Sequence, residues 1–162
     1  MAQKGKGIPE GYQTVTPSLF VRDAARAIEF YRKAFGAEET MRMPGPDGKG
    51  VLHAEIRIGD SAVMLADENP AWEAKSPESY GGTPVTLYLY VADVDAAFKR
   101  AVDAGAKVKM PVTDMFWGDR FGKIVDPFGH QWGLATRVET VAPDELARRA
   151  RTFAEQMKTQ GA

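Results

Sequence analysis

The chain repeats itself, and that constrains its fold more than any single motif. LFVRDAARAIEFYRKAFGAEETMRMP (residues 19–44) aligns with LYVADVDAAFKRAVDAGAKVKMP (residues 89–111), so that Asp23 matches Asp93, Gly36 matches Gly105 and Pro44 matches Pro111. A strand, a cap, a helix and a glycine stop recur in the same order. Two copies of one unit must each bury the same apolar stripe, and neither does so well alone.

Each copy has a physical reading. VTPSLFV (15–21) and VTLYLYV (85–91) are β-branched and aromatic runs, hence strands. Asp23 and Asp93 follow as N-caps, their carboxylates accepting from the free N–H groups of a first helical turn. The helices then place Ala24, Ala27, Ile28, Tyr31 and Phe35 on one stripe, and Val94, Ala97, Phe98, Ala101 and Val102 on the other. Gly36 and Gly105 end them. Three shorter strands follow in each half, at 38–43, 51–58 and 61–66, then at 106–110, 120–125 and 130–137. Gly59-Asp60 and Gly118-Asp119 carry tight-turn chemistry, and Asp126-Pro-Phe-Gly suits a type I turn.

The expected fold is therefore α+β. Two tandem β-α-β-β-β modules, residues 12–66 and 85–138, curl eight strands into a mixed sheet around a cavity, with the helices outside. Residues 1–11 read as a mobile tail, and 67–84 as a polar linker rich in turn formers. TVAPDELARRARTFAEQM (140–157) reads as an amphipathic helix capped at Thr140, with Leu146, Ala150, Phe153 and Met157 on one face. The C-terminal region, 139–162, is that helix and its tail.

Composition removes several functions. Among 162 residues there is no cysteine, which excludes disulfides, thiolate zinc sites, iron–sulfur clusters and thiol catalysis. Basic and acidic residues nearly cancel, 21 against 22, without the basic face of a nucleic-acid binder. No apolar stretch is long enough for a signal peptide or a membrane span, so a cytoplasmic location is expected, without membrane partners. Histidines are scarce: His53 and His130 are the only two.

Two β-α-β-β-β modules in tandem, with DPFG opening the last strand, resemble the vicinal oxygen chelate superfamily, which includes glyoxalase I, extradiol dioxygenases and bleomycin-resistance proteins. TPSLFV (16–21), HAEIRIGDSAVML (53–65) and MFWGDRFGKIVDPFGHQWGLAT (115–136) are similar to its PhnB-like branch. The resemblance covers roughly residues 12–140. It implies a homodimer, in some members with exchanged modules, and a cavity between paired modules.

Metal-dependent members of that superfamily take ligands from the first and last strands of each module. The resemblance carries these positions onto Thr16, Met64, Thr86 and Gly133. Thr, Met, Thr and Gly do not make a usual site for a divalent ion, which needs several nitrogen or oxygen donors converging on one point. No metal and no other cofactor is expected. If residue 133 faces the cavity, alternation sends Gln131 and Ala135 with it, and His130, Trp132 and Leu134 the other way. Asp126 and His130 are then turn chemistry.

The same alternation puts Ala54, Ile56 and Ile58 against the helices and His53, Glu55 and Arg57 on the cavity face. Thr14, Thr16, Ser18, Phe20, Thr86, Tyr88 and Tyr90 point inward on the first strands. The ligand-binding candidates are thus His53, Glu55, Arg57, Thr16, Ser18, Phe20, Thr86, Tyr88, Tyr90, Gln131 and Trp117. Phe116, Trp117 and Phe121 form either an aromatic wall or core and interface, and Asp119 with Arg120 reads as an ion pair pinning the hairpin. Trp72 sits where it would cover the rim.

Three functions follow. The first is a metal-independent small-molecule-binding protein of the glyoxalase/bleomycin-resistance type. The second is a glyoxalase- or dioxygenase-like enzyme with His53 and Glu55 as catalytic candidates, either an acid–base pair or relocated ligands of a divalent metal. The third is a module whose C-terminal helix docks a partner. Solvated charges on an open sheet are the simpler account of the His53 strip.

Overall fold

A computed structural model describes residues 7–160. Residues 1–6, most of the expected tail, lie outside the described residues.

The first module holds β1 (Ser18–Val21), α1 (Ala24–Phe35), β2 (Glu38–Pro44), β3 (Val51–Ile58) and β4 (Ser61–Asp67). The second holds β5 (Thr86–Tyr90), α3 (Val94–Asp103), β6 (Lys107–Asp114), β7 (Asp119–Val125) and β8 (Gln131–Arg137). Between them lie a 3-10 turn, Pro70–Trp72, and the short helix α2 (Pro77–Tyr80); α4 (Pro143–Gln160) closes the chain. The eight expected strands divide into two four-stranded mixed sheets of identical order, β1-β4-β3-β2 and β5-β8-β7-β6. In each, the first strand runs parallel to the last.

The repeat reaches the hydrogen bonds. Asp23 accepts from the Arg26 N–H and Asp93 from the Ala96 N–H, both at 3.0 Å. The N–H of Ala24 donates to Asp67 at the end of β4, and that of Val94 to Thr136 at the matching place on β8. Gly36 stops α1 with φ 67°, which glycine adopts without a Cβ clash.

α1 packs against α3, so the two modules share one core. From the first come Leu19, Ile28, Tyr31, Ile56 and Leu65, and from the second Ala97, Ile124, Trp132 and Leu134. Asp126 is buried within it and accepts four bonds: Phe128 N–H at 2.9 Å, His130 N–H at 3.0 Å, Tyr31 hydroxyl at 2.7 Å and Trp132 Nε1 at 2.9 Å. The turn residue thus also clasps α1 to β8. The neighbouring anion and burial push the Tyr31 phenol well above its usual range, burial being the larger cause.

Several boundaries differ from expectation, for local reasons. The first strand begins at Ser18, because Pro17 offers no N–H to a ladder and Thr16 instead donates to the Gln13 carbonyl at 2.9 Å. Thr14 and Thr16 therefore precede the sheet and do not point inward from it. β6 runs on to Asp114 past an irregular pairing at Pro111. α4 starts at Pro143, with Leu146 N–H bonded to the Ala142 carbonyl, so Thr140 is not its cap.

Candidate functional site

β3 alternates as its sequence does, with Ala54, Ile56 and Ile58 buried and His53, Glu55 and Arg57 half-buried on the opposite face. His53 Nε2 lies 3.2 Å from Glu55 Oε1. Tyr12, in the N-terminal segment, and to a smaller extent His53 hold the Glu55 carboxyl below its usual range against partial desolvation. Tyr12 is correspondingly raised. Arg57 donates to the carbonyls of Asp60 at 3.2 Å and Gly11 at 3.3 Å. Gly11, assigned to the expected tail, is thereby tied to the sheet.

Beyond His53 the strip opens into a cavity of about 280 Å³. Phe20, Val51, Leu52, Pro46 and Ala66 contribute apolar lining, and the linker adds Trp72 and Ala74. Lys49 also lines it, without an ion-pair partner among the described residues. Two acids in the wall are already occupied. Asp67 accepts from the N–H groups of Ala24 and Val51, both at 2.7 Å. Glu68 accepts from Ser76 N–H at 2.9 Å and Ser79 Oγ at 2.7 Å, and is held down at about 2, chiefly by the Ser76 backbone bond.

The second module builds a different array on the corresponding face. Asp119 is 1% exposed. It accepts from the hydroxyls of Tyr88 at 3.3 Å and Tyr90 at 3.0 Å, from Trp117 Nε1 at 3.0 Å and from Arg137. Burial works against its ionised form, but the bonds from Arg137, Tyr90 and Trp117 prevail and lower its pKa. Burial and the facing Asp119 push Tyr88 up to about 12. The rings run on as a chain, Tyr90–Tyr88–Phe121–Trp117–Phe116, ending on Phe153 of α4 at 5.1 Å between centroids. The expected Asp119–Arg120 pair does not form: β7 sends consecutive side chains to opposite faces, and Arg120 pairs with Asp95 and Asp114 instead.

The candidates thus fall into separate groups. Ser18, Phe20 and His53 line the cavity, and Glu55 and Arg57 continue its strip. Tyr88, Tyr90 and Trp117 gather on Asp119. Thr86 pairs with Gln131, whose side-chain amide donates to the Thr83 carbonyl at 3.1 Å. Thr16 is committed to its local turn. His130 turns from the cavity face, its Nε2 3.1 Å from the Phe20 carbonyl. Missed from sequence were Tyr12, Lys49 and the linker acids as site elements. Asp119 was also missed, although its shared parity with Phe121 along β7 was a signal for its face.

The family's metal positions do not fit a divalent ion. Met64 offers a thioether, Thr16 lies outside the sheet, and a Cβ on Gly133 would stand 2.7 Å from a Phe121 ring carbon. Phe121 and Tyr88 stack there, centroids 5.3 Å apart, and fill the space a ligand side chain needs. Among the described residues no three His, Asp or Glu side chains gather as a metal site, and His53 with Glu55 supplies only two.

Residues 13–134 match the model of the Glyoxalase/Bleomycin resistance protein/Dioxygenase superfamily. The chain is 51% identical over 135 residues to the uncharacterized protein Rv0887c of Mycobacterium tuberculosis, covering 82% of this chain and 79% of that one. Among solved structures, TioX from Micromonospora sp. ML1 superposes with a TM-score of 0.63 at 28% identity, over 77% of this chain and 98% of its own. A putative 3-demethylubiquinone-9 3-methyltransferase, PhnB protein, from Bacillus cereus shares the fold at TM-score 0.60 and 20% identity, over 76% of this chain and 99% of its own. No helix among the described residues is long and apolar enough to cross a membrane.

Proposed function

We propose that this chain, which belongs to the Glyoxalase/Bleomycin resistance protein/Dioxygenase superfamily, is a metal-independent small-molecule-binding protein whose ligand sits beside His53. The observation that carries this reading is the cavity itself. An apolar wall of Phe20, Val51, Leu52 and Ala66, bordered by Trp72 and edged by a few polar groups, is the usual make-up of a small-molecule pocket. Its volume of about 280 Å³ suits a single ring system with short substituents.

The half-open second face supports a homodimer. Tyr88 and Tyr90 are 45% and 57% exposed on a sheet whose rings are already ordered, and covering them with a second copy would bury that apolar area. Exchange of modules between copies is one way to do so, and the protein acts in the cytoplasm.

The test is metal content and thermal melting of tag-free protein, with EDTA, with Mn²⁺, Ni²⁺, Zn²⁺ and Fe²⁺, and with small ring compounds. Ring compounds should raise the melting temperature and the ions should not. An ion at about 100-fold its Kd would stabilise by about 2.7 kcal/mol, and such a shift with stoichiometric metal would overturn metal independence.

A further inference from the structure

We propose, resting on the binding reading above, that the cavity takes a ring-bearing molecule with an ionisable O–H or N–H, a phenol being the simplest, and that His53 accepts its proton at Nδ1. The geometry of the His53–Glu55 pair leads there. Glu55, whose carboxyl lies below its usual range, is an acceptor here, and an ionised carboxylate has no proton to give. Nε2 of His53, 3.2 Å from it, must therefore carry the hydrogen of that bond. In the neutral ring the lone pair then falls on Nδ1, which has no hydrogen-bond partner among the described residues. His53 is also in the lining of the cavity.

The surrounding charges select how such a ligand enters. Glu55 and Arg57 share the strand with His53; Tyr12 comes from the N-terminal segment, Lys49 from the β2–β3 turn, and Asp67 and Glu68 from the end of β4. Asp67 and Glu68 are already engaged by backbone, serine and arginine donors, and the apolar walls favour a ligand that enters as a neutral ring. On transfer, the ligand O–H bond breaks, an N–H bond forms at Nδ1, and the electron pair stays on the ligand oxygen. Neutral phenol and imidazole become phenolate and imidazolium. Glu55 stays ionised and stabilises the imidazolium, and Lys49 offsets the phenolate; no oxidant or reductant is involved. Glu55 is a positioning residue, since it acts through His53.

Two measurements on the full chain test this. Nitrogen-15 NMR of labelled histidine, with His130→Gln to assign the two rings, should show the neutral His53 ring as the tautomer with its proton on Nε2; the tautomer with its proton on Nδ1 would overturn the proposal. The second compares 4-nitrophenol with 4-nitroanisole, which lacks the O–H, at a pH below the phenol's solution pKa. The phenol should bind tighter by about tenfold or more, the worth of one charge-assisted hydrogen bond, and show the phenolate absorbance when bound. In His53→Gln the preference should vanish, and Glu55→Gln should weaken it. Equal binding of both compounds would sink the proton transfer and leave the binding reading standing; binding of neither would sink both at this cavity.

Discussion

Gly133 is where the aromatic stack and the family's vacated metal position coincide, and adding one carbon there tests both. In Gly133→Ala the new Cβ would lie 2.7 Å from Phe121 Cε2 and 3.2 Å from both Phe121 Cζ and Tyr88 Cδ2. Carbon atoms in contact prefer about 3.5–4.0 Å, so the Phe121 ring must retreat by roughly 1 Å. It cannot retreat alone. Tyr88 stacks on it at an interplanar angle of 10°, and the Tyr88 hydroxyl is held by buried Asp119. Overpacking of this kind costs about 1–3 kcal/mol, against a gain of about 0.5–1 kcal/mol from replacing glycine within a strand. The net expectation is a loss of about 1–2 kcal/mol, or roughly 2–8 °C in Tm. Urea denaturation should show it as a lower midpoint at unchanged slope. Phe121→Ala opens the space, so the Gly133→Ala/Phe121→Ala double variant should be more stable than the sum of the two losses by about 1 kcal/mol. Full additivity, or a Gly133→Ala protein as stable as the parent, would refute the claim that the rings fill this position.

Two further expectations come from the buried acids. Asp126→Ala strands the Tyr31 hydroxyl and Trp132 N–H, two buried donors from different modules, and should cost about 1–3 kcal/mol for each in urea denaturation. Glu68 is held near 2 in the folded chain against an ordinary 4.5, so its contribution to stability is present above about 4.5 and is lost as the pH falls towards 2. Melting measured across that window should fall less steeply in Glu68→Gln; an unchanged acid limb would show that the Ser76 and Ser79 bonds do not act on it.

How much was legible depended on how local each cause is. The alternation of His53, Glu55 and Arg57 against Ala54, Ile56 and Ile58 could be read from the chain, because a strand's two faces have a period of two whatever surrounds it. The helix caps at Asp23 and Asp93 were legible for the same reason: donor and acceptor are three residues apart. Thr14 and Thr16 were misread because the alternation rule was applied past Pro17, where the ladder has no donor. The partners of Asp119 were hidden by distance along the chain, since Tyr88 and Tyr90 come from β5 and Arg137 from β8.

Periodicity and bonds within a few residues were enough to read the repeat, the order of the eight strands and of α1, α3 and α4, the caps at Asp23 and Asp93, and the face of β3 that carries the polar strip. Tertiary packing was needed to show that the polar groups form two arrays and that the linker's Trp72 and acids line the cavity. Those contacts join segments tens of residues apart, and it is the packing of α1 against α3 and the shared core that bring the two modules together.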